Sequence, residues 1–245
     1  RKTDQSDAYW LADLLRHGLV RASFVPPRPQ RELRELTRHR TSLTSRRAQA
    51  VNEMQRTLEG TNIKLASVAT DITGLSATLM LEAMLAGHKD PRALAELARG
   101  KLRKKIPQLQ QALQGVMREH QRLILSQLLA DIELYEEQIQ EVTAEIERRL
   151  ADQQELINRL DKIPGVNRRV AEVLLAELGT DTKRFRTAKR AAAWTGICPG
   201  NNESGGKRRP ARSRRGNRAL KSTLVEAGMG AGRTKNSYLG AQFRR

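Results

Sequence analysis

A mostly α-helical chain is the fold class this sequence predicts, and three observations predict it. Apolar residues recur at alternating steps of three and four through Leu125, Leu128, Ile132, Tyr135, Ile139, Val142 and Ile146, the seam of a helix that faces another helix. Helix stops and starts punctuate the chain at Gly18, at Gly60 and at Asp90-Pro91. No stretch carries the Val/Ile/Thr alternation of a sheet.

Taken in order, the first helix is expected from Asp4 to His17, stopped by Gly18. Pro26, Pro27 and Pro29 mark a linker. A strongly basic helix follows over 30–59, with Leu33, Leu36, Leu43, Val51, Met54 and Leu58 as sparse apolar anchors. Shorter helices are expected over 75–86 and 91–99. A long helix from about Pro107 to Leu160 carries the seam. Nine acids and two arginines lie between Asp131 and Glu155, so this part turns away from any polyanion. Its seam suits self-association, the favoured expectation because few apolar residues lie off it; a hairpin packed inside one chain is the alternative.

Charge narrows the partners. Lys and Arg number 45 against 27 acids, a net +18, which points to nucleic acid or an anionic membrane surface. No apolar run is long enough to span a bilayer, and no signal peptide is visible. The single cysteine, Cys198, has no internal partner for a disulfide or zinc site, which favours a reducing, cytoplasmic setting. Aromatics make up 3% of the chain, too few for a series of base-stacking platforms. Phosphate contacts from Lys and Arg are therefore the expected mode of binding. They concentrate between Lys183 and Arg218, where twelve cations accompany one acid, Glu203.

Three motifs carry candidate chemistry. Ile163-Pro164-Gly165-Val166-Asn167, followed by Arg168, resembles a helix-hairpin-helix, in which a glycine turn aims backbone N–H groups at phosphate. Asn167 stands where a second glycine is usual, and asparagine tolerates positive φ. An ordinary helix–turn–helix connection is the plainer reading. The second motif, Pro199-Gly200-Asn201-Asn202-Glu203-Ser204-Gly205-Gly206-Lys207-Arg208-Arg209, sets a serine on a loop before two glycines and three cations. A serine nucleophile acting on a phosphodiester needs such surroundings, although a Ser-Gly-Gly-Lys stretch is commonly a solvated linker. The third, Lys2-Thr3-Asp4-Gln5-Ser6-Asp7-Ala8, places Asp4 and Asp7 on one helix face that continues through Leu11 and Leu14. Carboxylates on such a stripe are expected to point inward and to hold Mg²⁺; simple capping of a helix N-terminus is the alternative.

Together, and with Asn62-Ile63-Lys64-Leu65, Gly100-Lys101-Leu102, Cys198-Pro199-Gly200 and Gly216-Asn217-Arg218, these motifs resemble the DEDD-type insertion-sequence transposases described as bridge-RNA-guided recombinases. The resemblance implies that residues 1–25 end a ribonuclease-H-like (Holliday-junction-resolvase-like) α/β domain with four acids. Asp4 and Asp7 match the last two, and the first two would lie upstream of Arg1. It further implies a basic helical region over 26–106, a coiled coil over 107–160, and a C-terminal domain over 161–245 bearing the helix-hairpin-helix and Ser204. The implied reaction is cleavage and rejoining of DNA through Ser204, assisted by Asp4, Asp7 and Mg²⁺. Donor DNA, target DNA and a structured guide RNA are the implied partners, in a homo-oligomer (dimer or tetramer) of the bacterial cytoplasm, associated with the nucleoid. Gly165, Asn167, Arg168, Lys207, Arg208, Arg209, Arg212, Arg214, Arg215 and Arg218 are the candidate nucleic-acid contacts. The rival reading is a non-enzymatic helix-hairpin-helix DNA- or RNA-binding protein, which would have no need of Ser204.

Overall fold

The computed structural model describes residues 3–20, 23–198, 200–210 and 212–244. Lys2 and Pro199 of the motifs above lie outside the described residues, as does the side chain of Arg208. The described chain is helical almost throughout.

Helix α1 (Asp4–Arg16) opens with a capping box, in which the Thr3 hydroxyl accepts from Ser6 N–H and the Ser6 side chain serves the Thr3 backbone. Helix α2 (Arg28–Gly60) takes Pro29 in its first turn, where no N–H is needed. Helix α3 (Leu75–Leu85) and the short α4 (Pro91–Ala95) follow, the latter capped by Asp90 through Arg92 N–H. The long helix expected from Pro107 is broken into three. Helix α5 (Ile106–Ala112) stops before Gly115, where a Cβ would sit 2.4 Å from the Thr61 carbonyl oxygen. Helix α6 (Glu119–Arg149) carries the seam, and a 3₁₀ turn over Ala151–Gln153 separates it from α7 (Gln154–Asp161).

The seam is covered from within the chain. Helix α2 runs antiparallel to α6: Arg47 pairs with Glu136 at 2.5 Å and Arg149 with Glu32 at 2.7 Å. Leu125, Leu128, Ile132, Ile139 and Ile146 are all buried in the single chain. The alternative reading of the seam, an intrachain hairpin, is therefore the one this structure adopts. Self-association has no claim on these side chains. Helix α2 was harder to read as the partner because its buried face includes Thr37 and Arg40 among the leucines.

Two cores sit at the ends of this pair. One joins Met54 and Leu58 of α2 to Leu65, Met80, Leu81, Leu94, Leu109 and Leu125. The other joins Leu33 to Ile146, Leu150, Ile157, Ala171 and Leu175. The second core is where the C-terminal helices attach. These are α8 (Arg168–Leu178), α9 (Ala188–Thr195), α10 (Arg218–Arg233) and α11 (Tyr238–Phe243). A two-stranded hairpin of β1 (Glu203–Ser204) and β2 (Lys207–Arg208) lies between α9 and α10.

Buried charge fixes the attachment. Helix α2 presents arginines to two carboxylates of α8 that lie fully inside the protein. The Glu177 carboxylate accepts from Arg38 Nε at 2.7 Å and Nη2 at 3.0 Å, and from Asn217 Nδ2 at 2.6 Å. Arg34 Nε stands 3.4 Å away. Glu172 lies 2.7 Å from Arg40, itself buried, and 3.3 Å from Arg168. The Arg40 N–H is not aimed along that contact, so the attraction there is electrostatic rather than an aligned hydrogen bond. Gln30 and Arg34 also donate to the Ala176 and Glu177 carbonyls, and Arg184 to that of Leu178, satisfying the end of α8. Much of the basic character of α2 is thus consumed inside the chain.

Candidate nucleic-acid interface and serine hairpin

The turn between α7 and α8 is shaped by one glycine. Gly165 has φ +83°, and a Cβ there would lie 2.1 Å from the Ala227 carbonyl oxygen of α10. The glycine lets the turn lie directly on the α10 backbone. Asn167 does not adopt the positive φ expected of it. Its φ is −98°, and it caps α8 by accepting from Val170 N–H at 3.0 Å. Gly165 has already reversed the chain, so Asn167 is free to serve as a cap. Arg168 lies between Glu147 and Glu172, 3.3 Å from each, and its charge is answered within the fold.

Ser204 stands on a tight turn rather than a loose loop. It pairs with Lys207 across the β1–β2 hairpin, and Gly205 and Gly206 close the turn with φ of +58° and +72°. Two successive positive φ values define the turn that suits a right-twisted hairpin, which accounts for both glycines. Neither has any atom within 4 Å of where a Cβ would be, so the turn is open to close approach as well. Outside the ladder, Arg209 N–H bonds the Asn202 carbonyl at 2.8 Å and Asn202 Nδ2 the Pro210 carbonyl at 3.1 Å. Ser204 and Lys207 are exposed, and among the described residues the Ser204 hydroxyl has no hydrogen-bond partner.

Arg209, Arg212, Arg214, Arg215 and Arg218 are exposed as well, and among the described residues none of the five is in an ion pair. Two of them, Arg215 and Arg218, join Arg34 and Arg38 of α2 around a cleft of about 1120 Å³. Trp194 of α9 lies on its wall, and no carboxylate lines it. Sequence reasoning missed this cleft, because Arg34 and Arg38 lie some 180 residues from Arg215 in the chain.

Asp4 and Asp7 are placed differently from expectation. Helix α1 buries none of its residues; Asp4 is exposed and Asp7 half-exposed. The stripe is uncovered here: no described element packs on the Leu11 face, Leu11 being 53% exposed. Among the described residues no cluster of three acids, histidines or cysteines could hold a metal ion. Two carboxylates on an open helix are too few for Mg²⁺ by themselves, so these residues alone do not fit the ion. No helix among the described residues is long and apolar enough to cross a membrane.

Comparison with known families bears on both ends of this arrangement. A family model described as "Transposase IS116/IS110/IS902 family" matches residues 157–244, which span α7 to α11 and include the serine hairpin. A second, described as "Transposase" and belonging to the DEDD type of IS110, matches residues 1–63, which hold α1 and α2. The chain is an IS110-family transposase. No curated protein matches it. In an IS110-family transposase the DEDD designation carries a general dependence on divalent metal, and transposition makes DNA a partner. The two matched segments are the ones that the buried Arg–Glu network ties together, Arg38 from one and Glu177 from the other.

Proposed function

We propose that this transposase cleaves and rejoins DNA through Ser204. The observation that carries the proposal is the hairpin itself: an exposed serine directly across from Lys207, on a turn with open space around both glycines. The Oγ attacks a phosphodiester phosphorus, forming a phosphoserine ester as the bond to one deoxyribose oxygen breaks. The hydroxyl proton ends on the departing oxygen. Attack by the hydroxyl of another strand reverses the chemistry, restoring a phosphodiester and freeing the serine. Lys207 and Arg209 are placed to hold the charge that builds on the phosphoryl oxygens. The exposed arginines from Arg212 to Arg218 fix the DNA backbone without reading its sequence.

Sequence choice on this reading comes from a guide RNA paired with donor and target DNA. The working unit is an oligomer of this chain. Asp4 and Asp7 supply two acids of a divalent-metal site that needs further ligands.

The test is adduct trapping with the full transposase, guide RNA, donor and target DNA and Mg²⁺. Ser204→Ala should abolish the covalent protein–DNA species that survives SDS. Its stability should change by no more than about 0.5 kcal/mol, as for other exposed positions, and DNA binding should persist. An adduct at normal yield in Ser204→Ala would place the nucleophile elsewhere.

A further inference from the structure

We propose that the cleft between α2, α9 and α10 holds a single-stranded nucleic-acid segment, with phosphates on Arg215, Arg218 and the exposed edge of Arg38 and an unstacked base against Trp194. The inference rests on the nucleic-acid-binding reading above and adds a site to it.

Backbone packing builds the cleft. Gly196 and Gly216 meet so closely that a Cβ on Gly216 would lie 2.5 Å from Gly196 N. Asn217 N–H then bonds the Trp194 carbonyl at 3.2 Å, which ties the end of α9 to the start of α10. Trp194 is thereby held beside Arg218. Its ring rests against Phe185, with centroids 5.5 Å apart and planes at 60°, yet 39% of the residue stays exposed.

Electrostatics favour a polyanion. Four guanidinium groups line the cleft and no carboxylate does; Arg34 and Arg38 share the buried Glu177 behind it, while Arg215 and Arg218 have no ion-pair partner among the described residues. Ser42 and Ser45 on the α2 side are exposed, and among the described residues their hydroxyls have no partner, leaving them free to donate to phosphate oxygens. The volume of about 1120 Å³ exceeds the ~300–1000 Å³ of ordinary small-molecule pockets, as a strand of several units requires. An aromatic face among arginines is the means by which proteins take unpaired bases, since bases stacked in a duplex have no free face. The overall scarcity of aromatics argued against a row of stacking platforms; one well-placed ring needs no row.

The chain has two tryptophans, so Trp10→Phe leaves Trp194 as the reporter. Its fluorescence is titrated with oligothymidylate, oligouridylate, a blunt duplex and oligoglutamate. Saturable quenching by the single strands, with little by the duplex, is expected. Ser42→Glu/Ser45→Glu, which places two carboxylates in the cleft at exposed positions, should weaken single-strand binding about tenfold or more. Duplex affinity should fall by much less, since Arg209, Arg212 and Arg214 do not line the cleft. A preference for the ribose or the deoxyribose strand supports the site and names its occupant. Equal quenching by duplex, quenching by oligoglutamate alone, or unchanged single-strand affinity in the double variant overturns it. Loss of binding to every nucleic acid in the Trp10→Phe protein would instead sink the broader reading.

Discussion

Replacing Glu177 with alanine tests the network that joins α2 to the C-terminal helices. The carboxylate is fully buried and accepts two hydrogen bonds from Arg38 and one from Asn217. Glu177→Ala leaves Arg34, whose side chain is 15% exposed, without its counter-charge. Burial already draws the Arg34 guanidinium below its ordinary pKa, and the carboxylate opposes that shift. Arg38 shows the converse: hydrogen bonding to Glu177 holds its pKa above the ordinary value. Breaking a buried pair from one side costs about 3–5 kcal/mol. The half-exposed Arg38 can recover hydration, so the lower end of that range is expected. At about 2–4 °C per kcal/mol for a chain of this size, the melting temperature should fall by roughly 6–12 °C. Circular dichroism and urea denaturation would measure it. Glu177→Gln keeps an acceptor for Arg38 and should lose less. A shift within about 0.5 kcal/mol, the range of surface positions, would refute the claim that this carboxylate holds the two segments together.

Three further outcomes are expected. Gly165→Ala forces a Cβ to 2.1 Å from the α10 backbone at a φ of +83°, so it should destabilise by several kcal/mol, about the upper range for single substitutions; a melting curve like that of wild type would show that the turn does not lie on α10. Ile132→Asp puts charge into a buried seam covered by α2, and should cost several kcal/mol and unfold helix content; a well-folded chain of reduced mass in light scattering would mean that the seam faces a second copy. Glu145 is held at a pKa of about 2 by hydrogen bonds from Arg148 and then Arg149. Because its folded pKa lies below the ordinary 4.5, its contribution is present above that pH and disappears as pH falls toward 2; carboxyl NMR should find the low midpoint, and Arg148→Ala/Arg149→Ala should return it toward 4.5. A midpoint near 4.5 in the unaltered protein would remove the pairing.

The elements legible in the sequence were those with local punctuation. Asp90-Pro91 did start a helix, Gly60 did end one, and the first helix ran close to its expected bounds. Ser204, Lys207 and the arginines after them were visible because their clustering is contiguous. What stayed hidden depends on contacts between distant parts of the chain. Periodicity showed that Ile132 and Ile139 face a helix, but not which one, since Thr37 and Arg40 interrupt the matching stripe on α2. Arg38 and Glu177 lie 139 residues apart, and neither has a local feature that marks it as paired. Asn167 was read for its tolerance of positive φ, whereas its position three residues before Val170 already fits an N-cap.

The α2–α6 pair also sets a length. Arg38 lines the cleft at one end, while Leu58, twenty residues on, lies in the core capped by the turn over Gly100–Lys105. That turn and its neighbour expose Arg99, Lys101, Arg103, Lys104 and Lys105. At 1.5 Å per residue the stretch of α2 from Arg38 to Leu58 rises about 30 Å. Acidic side chains of α6 and arginines of α2 share the interval, Arg47 paired with Glu136 among them. The helix pair therefore fixes the spacing of its two cores in whole residues: inserting a heptad into both helices would lengthen it by about 10 Å.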